Sequence, residues 1–298
     1  MDTARPAIGV IGIGNMGWPM AACLHRAGFT LHVHDARPAV AERFAAEHAG
    51  AHAADLAGLA AAAEVIVTIL PTSAIVAQVA ATLRPLLRAG QVVIDMTSGV
   101  PATTRTVAAA LAEAGVAMID APVSGGVARA RTGELAIMVG GEDDVVARVR
   151  PVLDGMGTVT RTGGLGSGQA MKALNNLVSA GGFLIGVEAL LIGQRSGLDP
   201  AVMVDVLNAS SGMNNSTQRK FRQFVLSRRF DSGFGLDLMV KDLSIALEIG
   251  RDTATPAPFA ALCRELWSAA AVMLGNGRDH TELARFAEQL AATELAER

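Results

Sequence analysis

Two groups of residues in this 298-residue chain have the types and spacing to do chemistry. The first centres on Lys172, in the stretch GQAMKALNN (168–176). Lysine occurs three times, as Lys172, Lys220 and Lys241, and the other 22 of the 25 basic residues are arginine. Arginine stays protonated, so it serves wherever a plain positive charge is wanted. A lysine kept from water among Ala170, Met171, Ala173 and Leu174 can shift its pKa and exchange a proton near neutral pH. The second group is Gly12-Ile13-Gly14-Asn15-Met16-Gly17, followed by Asp35, 21 residues beyond Gly14. Gly12 permits a tight turn, Gly14 lets the main chain approach a pyrophosphate, and Gly17 lets a helix pack closely on a strand. The carboxylate of Asp35 suits a ribose diol and repels a 2′-phosphate. This pattern predicts a dinucleotide site that favours NAD over NADP, with Arg37 partly offsetting the repulsion.

Elimination narrows the chemistry. The chain has no tyrosine, so a Tyr–Lys proton relay is excluded. Five of the six histidines, His25, His32, His34, His48 and His52, fall in the first three βα units, and His280 lies near the C-terminus. That distribution does not suit a His–Asp pair at a domain boundary. Two cysteines, Cys23 and Cys263, make neither a disulfide framework nor a zinc site, and no metal is expected. Apolar residues make up 51% and charged residues 18%, with a net charge of −3, so the chain folds and carries no basic stripe for nucleic acid. The apolar run NLVSAGGFLIGVEALLIGQ (176–194) contains Glu188 and several Gly and Ser residues. It reads as a buried helix between domains or subunits rather than a membrane span. A homodimer or homotetramer is the expected assembly. A strand starts within a few residues of Met1, leaving no room for a signal peptide, so the expected location is cytoplasmic.

The elements that must position these residues follow from periodicity. Apolar runs at 7–12, 29–35, 64–70, 91–96, 116–121 and 135–141 read as strands. Ala-rich helical runs separate them, starting after Pro19, Pro38, Pro71 and Pro101. After 157–164 the pattern changes, with helical runs over 168–195, 200–209, 214–227, 236–252, 256–275 and 279–296 and no convincing strand. The fold class is therefore α/β. A doubly wound, mostly parallel Rossmann domain (1–165) precedes an all-α domain (166–298), and a long helix bridges them. Lys172 would stand near the start of that helix, at the interdomain cleft.

Four motifs in order give the chain a specific resemblance over nearly its full length. GIGNMGWPMAACLHRAG (12–28), DAPVSGGVARARTGEL (120–135), GLGSGQAMKALNN (164–176) and KDLSIAL (241–247) resemble the cofactor, substrate, catalytic and C-terminal signatures of the β-hydroxyacid dehydrogenases. That family includes 3-hydroxyisobutyrate dehydrogenase and tartronate semialdehyde reductase. The resemblance implies that Lys172 donates a proton to the carbonyl oxygen in reduction and stabilises the alkoxide in oxidation. Asn176, four residues on and on the same helix face, would orient the substrate or the lysine. Ser124, Gly125 and Gly126 would bind the carboxylate and hydroxyl. Gly12, Gly14, Asn15, Met16, Gly17, Asp35, Leu70, Pro71, Ser98 and Lys241 would line the cofactor.

Two stretches are individual to this chain. Arg129 and Arg131 follow the substrate glycines and read as solvated. Asn214, Asn215 and Ser216 stand in a loop that varies with substrate, where they would form a polar pocket wall. The expectation is an NAD-dependent oxidoreductase that interconverts a small, 3-hydroxyisobutyrate-like or more polar β-hydroxyacid and its semialdehyde. An imine reductase on the same fold and a non-catalytic scaffold are the alternatives. Both resemble this chain less, because they lack a lysine at the position of Lys172.

Overall fold

The structure is a computed structural model and describes residues 5–296. The chain divides into two compact units, Met1–Lys172 and Ala173–Arg298.

The first unit is a nine-stranded sheet clothed by helices. Its elements run β1 (Ile8–Ile11), α1 (Gly17–Arg26), β2 (Leu31–His34), α2 (Pro38–Glu47), β3 (Ala51–Ala53), α3 (Leu56–Ala62), β4 (Val65–Thr68), α4 (Ser73–Leu83), β5 (Val92–Asp95), α5 (Pro101–Ala112), β6 (Ala117–Asp120), β7 (Val123–Ser124), α6 (Gly126–Thr132), β8 (Leu135–Gly140), α7 (Asp143–Asp154) and β9 (Gly157–Gly163). The strand order is β3-β2-β1-β4-β5-β6-β8-β7, with β9 paired to β8. Pairings from β3 to β6 are parallel, β8 runs antiparallel to β6 and β7, and β9 is parallel to β8. The order reverses between β1 and β4, and in open α/β sheets such a switch opens a crevice at the carboxyl ends of the strands.

Every residue of β1, β4 and β5 is buried. One apolar cluster forms around Ile8, Val10, Leu24, Phe44 and Leu153, and another around Ile11, Leu59, Ile66, Val93 and Leu111. Ile8 and Val10 belong to the first cluster and Ile11 to the second, because alternate residues of a strand point to opposite faces. Burial on both sides explains why these strands read as continuous apolar runs.

Six strands are legible in the sequence and three are not. β3 is the three-residue Ala-His-Ala segment, β7 has two residues, and β9 alternates half-exposed and exposed residues as an edge strand should. None buries enough apolar surface to leave a period. The helix starts also sharpen. α2 and α5 begin on Pro38 and Pro101 themselves, where a missing N–H costs nothing. α1 begins at Gly17, two residues before Pro19. α4 begins at Ser73, capped by Thr72, whose hydroxyl accepts the Ile75 N–H at 3.3 Å.

Helix α8 (Ser167–Arg195) runs from the end of the first unit through the start of the second. It has the length and apolarity of a membrane span, yet 56% of its most apolar window is buried within the protein. Its outward face carries Val178, Ile185 and Ile192 at 76%, 54% and 67% exposure, spaced by seven. Glu188 shares that face and is exposed, against the expectation that it sits inside. The helical period places residue 188 between the outward positions 185 and 192.

The second unit continues with α9 (Pro200–Asn208), α10 (Asn215–Arg219), α11 (Leu236–Asp252), α12 (Pro258–Leu274) and α13 (Leu283–Ala291). Its core gathers Phe183, Val187 and Leu190 of α8 with Phe221, Leu243 and Trp267. No strand occurs here among the described residues, only an isolated bridge from Gly235 to Asp279. The run read as one helix over 214–227 is two: α10 ends at Arg219, and residues 221–226 wind as a wider π-type turn. The run read over 279–296 opens as a 3₁₀ turn, and α13 stops where Ala292 turns left-handed at φ 46°.

Candidate active site

At the switch point the glycine turn is packed main chain against main chain. Gly12 has φ +99°, and a Cβ there would lie 2.3 Å from the Ile69 carbonyl oxygen, beyond the end of β4. A Cβ on Gly17 would lie 1.8 Å from the Gly12 carbonyl oxygen. Both positions exclude any side chain. Gly14 differs, because a Cβ there would meet nothing within 4 Å. The turn is thus closed at 12 and 17 and open at 14. Helix α1 has no side-chain cap and no acidic residue in its first turn, so its first N–H groups suit an anion. Asn15 is exposed and Met16 half-buried beside them. This cradle fits a dinucleotide pyrophosphate.

Asp35, just beyond β2, is buried, and its carboxylate serves the turn directly. Oδ2 accepts the Ile13 N–H at 2.9 Å and Oδ1 accepts the Arg37 N–H at 3.0 Å. The Arg37 guanidinium lies 3.5 Å away with its side chain largely exposed. An acid fixed at this place matches the position that receives a ribose in dinucleotide folds. Leu70 follows β4 half-buried, its N–H donating to Thr97 Oγ1 at 3.0 Å, while Pro71 is exposed and Ser98 half-buried.

The predicted substrate residues lie on one short segment. Ser124 ends β7, half-buried, and Gly125 and Gly126 open α6, both exposed. No atom would touch a Cβ on Gly126, so the main chain there leaves open space beside it. Arg129 and Arg131 are exposed, and the Arg129 stem lies over Gly125.

On α8, Lys172 is 7% exposed and Asn176 6%, and the helical period puts them on one face, one turn apart. Asn176 Nδ2 donates to Asp242 Oδ2 on α11 at 2.6 Å, and its Oδ1 accepts from Asn175 at 3.1 Å. Asp242 is buried, and Lys241 Nζ stands 3.3 Å from its other oxygen. Asn176, Asp242 and Lys241 therefore form one polar group within the helical unit. The sequence offers Asp242, beside Lys241 in KDLSIAL, only as part of an exposed charged pair, whereas the structure buries it against Asn176.

The loop asparagines have separate fates. Asn214 caps α10: its Oδ1 accepts from Ser216 N at 2.8 Å and Thr217 N at 3.1 Å, and Thr217 Oγ1 accepts the Asn214 N–H in return. Its Nδ2 reaches the Gly182 carbonyl at 3.4 Å. Asn214 thus holds a helix end. Asn215 is exposed, and Ser216 is buried without a partner for its hydroxyl among the described residues.

The sequence reading assigns no role to a third polar group. Asp95 ends β5 and Asp120 ends β6, in register with each other. Thr68 Oγ1 and Thr97 N donate to Asp95 Oδ1, while Gly166 N and Gln169 N donate to Asp120. Burial pushes the Asp95 carboxyl up to about 6, against the pull of the Thr97 and Thr68 hydrogen bonds. Burial likewise raises Asp120, against the main-chain donors at Gly166 and Gln169. The available signal was the repeated Ile-Asp closing two apolar strands, in QVVIDM and VAMIDA.

A switch-point turn open at one glycine, an acid beyond β2 and an all-α unit carried on a long helix define a nicotinamide-dinucleotide oxidoreductase fold. Residues 7–164 match the NAD binding domain of 6-phosphogluconate dehydrogenase, and residues 166–287 match the NAD-binding domain of NADP-dependent 3-hydroxyisobutyrate dehydrogenase. The chain is 37% identical over 277 residues to 2-(hydroxymethyl)glutarate dehydrogenase of Eubacterium barkeri, covering 91% of each. It is 39% identical over 281 residues to 3-hydroxyisobutyrate dehydrogenase of Pseudomonas aeruginosa, covering 88% of this chain and 91% of that one. The solved Mycobacterium tuberculosis 3-hydroxyisobutyrate dehydrogenase with L-serine superposes at a TM-score of 0.89 and 30% identity, over 95% of this chain and 99% of that one. The chain belongs to the 3-hydroxyisobutyrate dehydrogenase-like family of hydroxyacid dehydrogenases.

Proposed function

We propose that this protein is an NAD-preferring dehydrogenase that interconverts a small, 3-hydroxyisobutyrate-like β-hydroxyacid and its semialdehyde, with Lys172 as the acid–base group. The observation that carries this reading is a buried lysine, one turn from a buried asparagine, in a chain that has three lysines and no tyrosine. A bound nicotinamide supplies the hydride acceptor or donor. The protein's own residues do the rest. The Ser124 hydroxyl and the N–H groups of Gly125 and Gly126 hold the carboxylate and hydroxyl. In oxidation Lys172 Nζ takes the carbinol proton and stabilises the developing alkoxide; in reduction it returns a proton to the carbonyl oxygen. Asn176, held by Asp242, orients the reacting group. The Asp35 carboxylate disfavours a 2′-phosphate, which supports NAD over NADP. The exposed Asn215 amide supports a preference for a more polar substrate. The exposed Val178, Ile185 and Ile192 on the outward face of α8 support a homodimer or homotetramer, because large apolar side chains grouped on one exposed face suit a subunit contact.

The test is nicotinamide absorbance with a panel of short hydroxyacids, run with NAD and NADP in parallel, for wild type and Lys172→Ala. Turnover with NAD that is lost in the variant while NADH affinity is kept supports the reading. Undiminished turnover in Lys172→Ala refutes it.

A further inference from the structure

We propose that Gln169 is a positioning residue for Lys172, acting by locking the first turn of α8 to the ends of β5 and β6. The proposal rests on the reading of Lys172 as the acid–base group.

Gln169 is fully buried, three residues and about one turn before Lys172. Every polar atom of its side chain is engaged. Nε2 donates to Asp95 Oδ2 at 3.1 Å, and Oε1 accepts the Thr104 hydroxyl at 2.5 Å. Its main-chain N–H donates to Asp120 Oδ2 at 2.8 Å, and Asp120 Oδ1 accepts the Gly166 N–H at 2.7 Å. The Asp120 carboxylate therefore caps α8 from another element, and the Gln169 amide pins the same turn sideways to β5 and α5. A carboxylate accepts only and an amide nitrogen donates only, so the amide has one satisfied orientation. The chain makes room for this join: a Cβ on Gly168 would lie 2.3 Å from the Met138 carbonyl oxygen and 2.9 Å from Asp120 Oδ2.

Stability alone does not call for such a joint. A 29-residue apolar helix already has an extensive apolar face to hold it. The joint does fix rotation about the helix axis. The outer end of a helix side chain stands roughly 6 Å from that axis, so a roll of about 10° moves it by about 1 Å. A displacement near 1 Å at a reacting group can cost on the order of 10²-fold in rate. The network is thus placed where small errors in the angle of α8 turn into large errors at Nζ.

The test compares Gln169→Leu, Thr104→Val and Lys172→Met with wild type, as full-length proteins. For each we would measure kcat per NADH-binding site, KM for hydroxyacid and NAD, the pH profile of kcat, and Tm. The expected result for Gln169→Leu is a kcat reduced about 10- to 100-fold per competent site and a shifted pH profile, with NADH binding within about threefold of wild type. Thr104→Val loosens one end of the amide and should lower kcat severalfold in the same manner. A purely structural role would lower Tm and the number of competent sites but leave kcat per site and the pH profile unchanged; that result overturns the proposal. If Gln169→Leu does not fold, an unchanged kcat in Thr104→Val overturns it equally. An active Lys172→Met refutes the acid–base reading, and the positioning role with it. An inactive Lys172→Met beside an unaffected Gln169→Leu refutes positioning alone.

Discussion

The glycine turn yields a paired prediction with opposite signs. At Gly17 an alanine Cβ would lie 1.8 Å from the Gly12 carbonyl oxygen, whereas real contacts start near 3.0 Å, so main chain must part by at least 1.2 Å. Overpacking of this kind costs about 1–3 kcal/mol. For a protein of this size that lowers Tm by roughly 2–10 °C. It also opens the turn that receives the pyrophosphate, so NADH binding falls as well. At Gly14 nothing lies within 4 Å and φ is not in the left-handed range, so the folded protein accepts alanine. Removing a glycine from the unfolded chain stabilises by about 0.4–1 kcal/mol, so Tm should hold or rise slightly. The methyl group then stands where the pyrophosphate must approach, and a loss of about 1–3 kcal/mol weakens NADH binding by roughly 5- to 150-fold. Calorimetric unfolding and NADH fluorescence titration on the two variants decide the matter. Gly14→Ala binding NADH within about twofold of wild type refutes the placement of the pyrophosphate. Gly17→Ala unfolding at the wild-type temperature refutes the steric argument.

Four further outcomes follow from the helical unit. Burial against Phe183 and Trp267 pushes the His280 imidazole down to about 4, with the Lys220 charge adding to the effect and Asp279 and the Phe234 carbonyl opposing it. The neutral form is thus the folded one; its stabilisation is present above about pH 6.5 and is lost as pH falls toward 4, so His280→Gln should flatten the fall of Tm across that window. Asn214→Ala removes the α10 cap at a cost of about 1 kcal/mol, and Asn214→Ser restores most of the lost Tm. By contrast, Asn215→Ala should alter the ranking of hydroxyacids at constant Tm. A charge on the outward face of α8, in Val178→Asp or Ile185→Asp, should shift the protein to smaller species in sedimentation velocity while leaving its circular dichroism intact. An unchanged sedimentation coefficient rules that face out as the subunit contact.

The sequence by itself determined whatever depends on local pattern. Strands β1, β4 and β5 are legible because they are buried on both faces and run apolar without interruption. The glycine turn is legible because two of its contacts, Gly12 to Gly17 and Ile13 to Asp35, lie within a single βαβ unit; only the fold shows that Gly12 also packs on Ile69 beyond β4. The helical character of the second unit is likewise a matter of 3.6-residue period. Short or edge elements escape, since β3, β7 and β9 bury too little apolar surface to mark a period. Side-chain partnerships across long separations were decided only by the tertiary structure. Asp95 and Gln169 are 74 residues apart, and Asn176 and Asp242 are 66 apart. No period or spacing links them; they meet because strand order and helix packing bring their elements together. The same holds for orientation. Apolar neighbours in sequence suggest that Glu188 is buried, yet the face of α8 that meets other elements leaves it in water. Asn214 has the composition of a pocket wall, yet where α10 begins makes it a cap. Residue type and short spacing specify which chemistry a chain can carry. The packing of distant elements specifies which polar atoms are already engaged, because a buried donor or acceptor must find its partner wherever the fold supplies one.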